Sequence, residues 1–228
     1  MFVPGVVRAR PERLNFSMNI VFDFGAVLFT WRPAELLRRY FPERAASEAL
    51  AADLAQAVFG HADWHQFDRG GVSMDAVVAR IAARVGLAPD ALMRLTQSIA
   101  DHLAPMPESV ALLSQLHGLR VQQGDAPRLY FLSNMPEPYA RALVQRHAFL
   151  QRFDGGLFSS DVQLVKPEPA IYALLESRYA LTPARTIFID DNAANVQAAQ
   201  ARGWQGIQFE SAQQVQAQLA SAGLALWP

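Results

Sequence analysis

The chain has 228 residues, of which 51% are hydrophobic and 18% charged, and its formal net charge is −1. This balance is typical of a globular protein with one core and shows no basic footprint for nucleic acid. Cysteine is absent, which excludes disulfides and thiolate chemistry. No apolar run reaches the roughly 20 residues of a membrane span. We therefore expect a cytoplasmic protein with no nucleic-acid or membrane partner, either a monomer or a homodimer.

The amino terminus differs in character from the rest of the chain. Residues 1–17 contain three arginines and two prolines and no periodic apolar pattern. We interpret them as a loose extension that precedes the folded chain, with Met18 as an alternative start.

Residues 20–29, IVFDFGAVLF, form an apolar run that contains one carboxylate, Asp23. β-Branched and aromatic residues in such a run predict a central strand of a parallel sheet covered by helices on both faces. Gly25 allows the backbone to turn sharply and to approach a ligand closely. Because open α/β sheets bind ligands at the carboxyl ends of their strands, Asp23 is a candidate site residue.

The next part of the chain predicts helices and no strand. The predicted helices cover 33–40, 45–58, the segment that Ser73 caps as far as Arg84, and 90–102. We interpret residues 31–104 as a helical insertion between the first strand and the rest of the sheet.

From residue 105 onward, helices and strands alternate, which is typical of βαβ units and a parallel sheet. The predicted strands are 129–132, 156–158, 186–189 and 206–209. The predicted helices are 108–117, 137–148, 168–179, 193–202 and 212–222, with a loop at 118–127. The predicted fold class is therefore α/β, with residues 18–30 and 105–228 forming one core.

Polar residues gather where the predicted strands end. They are Asp23, Ser133, Asn134, Lys166, Asp190 and Asp191. If the strands are parallel neighbours, these side chains converge on one edge of the sheet. Lys166 is also the only lysine of the chain, so a compact ammonium stands here where arginine is used everywhere else.

These residue types suit phosphate chemistry. The carboxylates of Asp23, Asp190 and Asp191 would repel one another without a cation, and oxygen ligands suit Mg²⁺. Ser133, Asn134 and Lys166 offer hydroxyl, amide and ammonium donors to a phosphate. Asp23, close to the phosphorus, would then act as a nucleophile.

Four short motifs carry a family resemblance: DFGAV at 23–27, LSN at 132–134, VKP at 165–167 and IDDN at 189–192. With them, the chain resembles the haloacid dehalogenase (HAD) superfamily of aspartate-nucleophile phosphatases. The resemblance implies a Rossmann-like, doubly wound parallel sheet with a helical cap inserted after the first strand. It also implies Mg²⁺ held by Asp23, the Gly25 carbonyl and Asp191, with Asp190 in support. Within the superfamily, the alpha-D-glucose-1-phosphate phosphatases are the most similar group.

Gly25 is a departure from the superfamily pattern. Most of its phosphatases carry a second aspartate there, which protonates the leaving oxygen, although the glucose-1-phosphate group also has glycine. His65, Asp68 or Arg69 in HQFDRG could approach the site, and we name His65 and Arg69 as candidate specificity residues. No obvious substitute acid is apparent, so we expect the rate to depend steeply on the leaving group.

The functional prediction is a Mg²⁺-dependent phosphatase acting on a small sugar phosphate or related phosphomonoester through an aspartyl-phosphate. Its small-molecule phosphate ester is the only partner that the sequence predicts. One alternative is a metal-independent 2-haloacid dehalogenase, against which Asp190 and Asp191 argue. The other is a catalytically silent HAD-fold binding protein, with Gly25 as a sign of lost activity.

Overall fold

A parallel sheet lies at the centre of the molecule. The computed structural model describes residues 18–122 and 127–224, so the predicted extension of residues 1–17 lies outside the described residues. The strands in this part of the chain are β1 (Asn19–Phe22), β2 (Arg128–Ser133), β3 (Gly155–Phe158), β4 (Thr186–Asp190) and β5 (Gln205–Gln208). All pairings are parallel and the order is β3-β2-β1-β4-β5. The predicted α/β fold class is confirmed.

Strand β1 occupies the middle of this sheet and is buried along its whole length. Ile20 pairs with Leu129 on one side and with Ile187 on the other. Because successive side chains of a strand alternate, Ile20 and Phe22 enter the core on one face and Val21 enters it on the other. The apolar composition of residues 20–22 follows from this burial on both faces.

Five helices lie between β1 and the next part of the core. They are α1 (Pro33–Tyr40), α2 (Glu48–Phe59), α3 (Ala62–Asp68), α4 (Met74–Val85) and α5 (Pro89–His102). Helix α1 has the predicted bounds, and Ser73 caps α4 as predicted. Helix α3 was missing from the predicted helices because its N-cap is His61, whose ring nitrogen accepts from Asp63 N; histidine is not among the usual N-cap residues.

This helical segment leaves and re-enters the core at one place. Thr30 N donates to Ala104 O at 2.8 Å, and Met106 N donates to Leu28 O at 2.8 Å. The two connections therefore lie side by side, next to the predicted limits of the insertion at 31 and 104. That this segment is a separate cap unit stays a prediction.

The remaining helices cover the two faces of the sheet. They are α6 (Pro107–Gln122), α7 (Glu137–Arg146), α8 (Ser159–Val162), α9 (Pro169–Tyr179), α10 (Ala193–Gln200) and α11 (Ala212–Ser221), with 3₁₀ turns at Ala148–Arg152 and Pro183–Arg185. Helices α6 and α11 pack on the face of Ile20 and Phe22, and α9 and α10 pack on the face of Val21. Among the described residues, no helix has the length and apolarity to cross a bilayer.

The predicted loop at 118–127 is wrong in its first half, because α6 continues to Gln122. A glycine inside a helix costs about 1 kcal/mol relative to alanine, and one glycine does not end a helix that packing supports. Leu119, next to Gly118, is buried in the core and provides such packing. Residues 123–126 lie outside the described part of the chain.

Candidate active site

Asp23 follows β1 directly, at the carboxyl end of the central strand. Its backbone N donates to Ile189 O at 2.9 Å, which continues the pairing with β4 by one residue. Its Oδ1 accepts from Phe24 N at 2.7 Å. The side chain is almost buried, yet it lines a cavity. The carboxylate is therefore held at the edge of the sheet where the sequence predicts it.

Lys166, in the loop before α9, is placed between two carboxylates. Its Nζ lies 2.9 Å from Asp23 Oδ1 and 2.6 Å from Asp190 Oδ2. The lysine side chain is only 1% exposed, so this charge has little contact with water. A buried ammonium is tolerated only when it is paired and hydrogen-bonded, and both conditions are met here.

The two consecutive aspartates after β4 have different environments. Asp190 is fully buried, and its carboxylate accepts hydrogen bonds from three groups. These are Lys166 Nζ at 2.6 Å, Asn192 N at 2.8 Å, and Asn195 Nδ2 at 3.0 and 3.1 Å. Asp191 is exposed and lines the cavity. Both carboxylate oxygens of Asp190 thus accept hydrogen bonds from protein groups, whereas Asp191 lines the cavity that a ligand would enter.

Burial and crowding of charge perturb the pKa values of this group. Burial raises the pKa of Asp23 to about 7, against the opposing effect of Lys166 and with a further increase from Asp190. Burial and the charge of Asp190 also raise the pKa of Asp191. Burial lowers the pKa of Lys166, but Asp190 and Asp23 together outweigh it and leave that pKa raised. Such perturbation at one cavity is typical of a functional site.

The acidic cluster has the chemistry of a divalent cation site. Asp23, Asp190 and Asp191 each offer a carboxylate oxygen, and these oxygens lie within 4.8 Å of one another. Burial, and after it repulsion from Asp190, raises the pKa of Asp23 and that of Asp191. A cation would relieve that repulsion, and hard oxygen ligands beside a phosphate site fit Mg²⁺. Asp23 and Asp191 have free access to the cavity, and Gly25 lines it too. The predicted ligand set of Asp23, Gly25, Asp190 and Asp191 fits, with Asp190 in support.

Ser133 and Asn134, at the end of β2, lie beside Lys166. Ser133 is buried and lines the cavity. The Asn134 side chain contacts the backbone of Lys166 twice: its Oδ1 accepts from Lys166 N at 2.8 Å and its Nδ2 donates to Lys166 O at 2.9 Å. The amide therefore positions the lysine, and one N–H of Nδ2 is left for a ligand. The predicted phosphate-binding roles of both residues stay predictions.

The cavity next to these groups has a volume of about 580 Å³. The strand-end residues Asp23, Ser133, Asn134 and Asp191 line it together with Lys166. Six large apolar or aromatic side chains also line it, and we call them the apolar wall: Trp31, Phe59, Trp64, Ile99, Leu103 and Tyr139. The rings of Trp31 and Phe59 meet edge to face, as do those of Phe59 and Trp64, a favoured arrangement for aromatic pairs.

The two predicted specificity residues occupy different places. His65 is exposed and lines the cavity. Arg69 also lines it, but its guanidinium is bound to both carboxylate oxygens of Glu168 and donates to Gln163 O at 2.9 Å. Arg69 thus connects α3 to the loop that carries Lys166. A role of either residue in specificity stays a prediction.

Asp68 is the cavity residue that the sequence did not distinguish from its neighbours. It ends α3 and is buried, in a helix whose spacing gives no indication that this carboxylate faces the core. It lines the same cavity as Asp23. The only sequence signal was its position directly before Arg69-Gly70, a charged residue followed by a turn glycine.

Gly25 leaves room for a side chain. A Cβ built there meets Trp31 Cβ at 3.9 Å, an ordinary van der Waals distance, and the backbone is not in the left-handed region. The next residue, Ala26, is in the left-handed region, with φ of 56°. Backbone strain therefore does not explain why residue 25 is glycine and not aspartate.

Comparison with known proteins identifies the family. The sequence matches the haloacid dehalogenase-like hydrolase family over residues 19–203. The sesquiterpene phosphatase astK of Aspergillus oryzae is 29% identical over 187 residues, which cover 82% of this chain and 87% of that protein. An (S)-2-haloacid dehalogenase of Xanthobacter autotrophicus is 26% identical over 194 residues, covering 81% of this chain and 72% of that protein.

Solved structures agree with the sequence match. A HAD family enzyme of Bacteroides thetaiotaomicron, solved in complex with magnesium and inorganic phosphate, matches with a TM-score of 0.64 and 17% identity. The match covers 86% of this chain and 95% of that one, and at this identity it supports a shared fold. The predicted likeness to glucose-1-phosphate phosphatases is not confirmed by these relatives. Because the family match spans well over half of the chain, this protein belongs to the haloacid dehalogenase-like hydrolases and is an enzyme of that family.

Proposed function

We propose that this hydrolase is a Mg²⁺-dependent phosphomonoesterase that forms an aspartyl-phosphate on Asp23. The observation that carries the proposal is the position of Lys166 Nζ, 2.9 Å from Asp23 and 2.6 Å from Asp190, with Asp191 open to the cavity beside them. Relatives named as phosphatases support it, including astK. A buried nucleophile beside a fixed positive charge is suited to attack on an anionic ester.

The chain's own residues account for most of the steps. An Asp23 oxygen attacks phosphorus, the bond to the leaving oxygen breaks, and water later hydrolyses the acyl phosphate and restores the carboxylate. Lys166 neutralises charge on Asp23 and on the phosphoryl oxygens, while Ser133 and the free N–H of Asn134 donate to those oxygens. Asp190 holds Lys166. Mg²⁺, bound by Asp23, Asp191 and the Gly25 carbonyl, would supply charge neutralisation between the carboxylates and the phosphate.

Residues 31–104 are proposed to act as the cap that selects the leaving group, since they supply most of the apolar wall. The sequence predicts a small sugar phosphate, and aromatic rings can stack on a sugar face. The apolar wall is large, however, and its surface favours a leaving group with an extended apolar part. We therefore propose a second substrate candidate, a phosphate ester of an apolar alcohol.

The test is a panel of phosphate esters assayed for phosphate release with Mg²⁺ and with EDTA. It includes p-nitrophenyl phosphate, glucose 1-phosphate and farnesyl phosphate, together with 2-chloropropionate assayed for chloride release. We expect Mg²⁺-dependent phosphate release and no chloride. Chloride release that is insensitive to EDTA would favour the dehalogenase alternative, and no turnover of any compound would revive the alternative of a silent binding protein.

Asp23→Asn provides the matched test of the nucleophile. The amide is nearly isosteric with the carboxylate but cannot attack phosphorus, so we expect activity to fall below about 1% of wild type with the fold intact. Asp53→Asn, an exposed position of α2, serves as the control and should retain full activity. Substantial activity in Asp23→Asn would remove this residue from the nucleophile role.

A further inference from the structure

The cap side of the cavity contains one buried carboxyl group that the proposed chemistry has not yet used. Asp68 is 8% exposed, lines the same cavity as Asp23, and is the last residue of α3. The charges of both Lys166 and Asp23 act on its carboxyl group. The carboxyl group thus lies in the same cavity as Asp23, on a helix of the segment proposed to contact the leaving group.

Three contacts hold the end of α3 against the core and so fix the position of Asp68. Ser159 Oγ donates to Asp68 O and accepts from Met135 N at 2.9 Å, which joins α3 to the loop after β2. Arg69 binds Glu168, two residues after Lys166. Gly70, with φ of 76°, packs closely against the backbone of Ser160, because an added Cβ would lie 2.8 Å from Ser160 O.

These contacts set up a direct geometric link between the cap and the reacting groups. Ser159 also contacts Met135, which follows Asn134, and Glu168 follows Lys166 by two residues. A side chain positioned in this way is preorganised relative to Asp23 and does not depend on closure of a flexible loop.

The environment of Asp68 favours retention of a proton. Burial raises the pKa of Asp68 to about 7, the charge of Lys166 and the Trp64 hydrogen bond lower it, and the charge of Asp23 raises it. An acid whose pKa lies near the working pH is both protonated often enough and acidic enough to transfer its proton.

Other groups on the same side are less suitable. Tyr139 donates its hydroxyl to Thr96 O at 2.8 Å, and burial together with the charge of Asp68 raises its pKa well above the usual value. His65 is exposed, and Arg69 is engaged with Glu168.

We propose that Asp68 is the proton donor to the leaving oxygen, in place of the aspartate that Gly25 lacks. The inference depends on the phosphomonoesterase function proposed above. As Asp23 attacks phosphorus, the electron pair of the breaking P–O bond goes to the leaving oxygen, which takes the Asp68 proton and departs as an alcohol. In the second half-reaction the Asp68 carboxylate accepts a proton from the water that attacks the acyl phosphate. Asp68 is then protonated again and Asp23 is free.

The test is a leaving-group series, from p-nitrophenyl phosphate to primary alkyl phosphates, in wild type and in Asp68→Asn. Because a nitrophenolate needs no proton to leave, we expect kcat/KM for alkyl phosphates to fall by about 10²- to 10⁴-fold and for p-nitrophenyl phosphate far less. Rapid mixing of Asp68→Asn with p-nitrophenyl phosphate should show a burst of one equivalent of nitrophenol, since the second half-reaction has lost its base. Asp63→Asn, on the same helix but outside the cavity, is the control and should match wild type.

The outcomes separate this inference from the proposed function. An equal loss for both kinds of leaving group, or no loss, would overturn the role of Asp68 while leaving the nucleophile intact. Activity in Asp23→Asn would overturn the proposed function itself. If Asp68→Asn does not fold, as judged by circular dichroism, wild type and Asp68→Glu provide the test. The sequence without an internal acid predicts that wild-type kcat/KM depends steeply on the leaving group, whereas a proton from Asp68 makes this dependence shallow; a steep dependence in wild type would overturn the inference. Asp68→Glu, which keeps a proton, should retain the shallow dependence at a lower rate.

Discussion

The Asn134 side chain makes two hydrogen bonds with the backbone of Lys166: its Oδ1 accepts from Lys166 N at 2.8 Å, and its Nδ2 donates to Lys166 O at 2.9 Å. Because one side chain makes both bonds, it fixes the backbone position of Lys166 in the loop before α9. The position of the ammonium between Asp23 and Asp190 follows from this contact as well as from the charge pairing.

Asn134→Asp tests this positioning role. A carboxylate can still accept from Lys166 N, but it cannot donate to Lys166 O, so the loop should shift. We expect kcat to fall by about 100-fold, the scale associated with misplacing a catalytic group by an ångström, with a smaller effect on KM. Steady-state kinetics on p-nitrophenyl phosphate would show this, and unchanged kinetics would mean that the two bonds are incidental.

Lys166→Arg should not restore what Lys166→Ala loses. The Lys166 side chain is only 1% exposed, and its ammonium lies between two carboxylates. A guanidinium is larger and planar, so it does not fit the same space. We expect each variant to lose at least about 100-fold in kcat/KM. Rates near wild type in the arginine variant would show that only the charge matters.

Asp191→Ala should weaken Mg²⁺ binding without harming the fold. The residue is exposed, and its removal relieves the repulsion from Asp190 that contributes to its raised pKa. We expect a Kd for Mg²⁺ raised at least about tenfold by calorimetry, together with an unchanged or higher Tm in EDTA. Asp161→Ala, an exposed position of α8, is the control. Equal Mg²⁺ affinity in wild type and variant would exclude Asp191 as a ligand.

The buried state of Asp68 predicts a pH dependence of stability. Its folded pKa of about 7 lies above the unfolded value of 3.8, so between these values the folded state retains a proton that the unfolded state loses. Stability therefore falls as pH rises through this window. Asp68→Asn removes this loss, so Tm of the variant minus Tm of wild type, measured in EDTA, should rise from pH 4 to about 7 and then level off.

A difference in Tm that stays constant across this range would mean that Asp68 ionises as readily in the folded protein as in the unfolded one. Comparison of the two proteins at each pH cancels the contributions of titrating groups that do not interact with Asp68, such as His147, whose pKa burial and Arg146 lower.

Gly25→Asp should rescue the loss of Asp68. The position is free of backbone strain, and the new Cβ has ordinary contact with Trp31. In an Asp68→Asn background, we expect Gly25→Asp to recover kcat/KM for alkyl phosphates by at least about tenfold and to change p-nitrophenyl phosphate little. Gly25→Asn in the same background is the control, because it fills the space without supplying a proton.

Much of the fold and of the strand-end cluster could be predicted from sequence. Hydrophobic runs and helical periodicity are local properties, and they indicated the bounds of β2 to β5 to within about one residue. The apolar run at 20–29 indicated the start of β1 but not its end at Phe22, because the chain turns after Asp23. Parallel strands place their carboxyl ends on one edge, so the alternation of elements was sufficient to bring Asp23, Asn134 and Lys166 together.

The tertiary structure alone decided the rest. Asp68 contacts Ser159 and Arg69 contacts Glu168, pairs separated by 91 and 99 residues, and no local pattern records such contacts. The different environments of Asp190 and Asp191 also depend on packing, since adjacent residues at a strand end point to different places once the chain turns. Periodicity determines which face of an element is buried, but which distant segment covers that face, and what charge it places over Asp23, depends on how the elements pack in three dimensions.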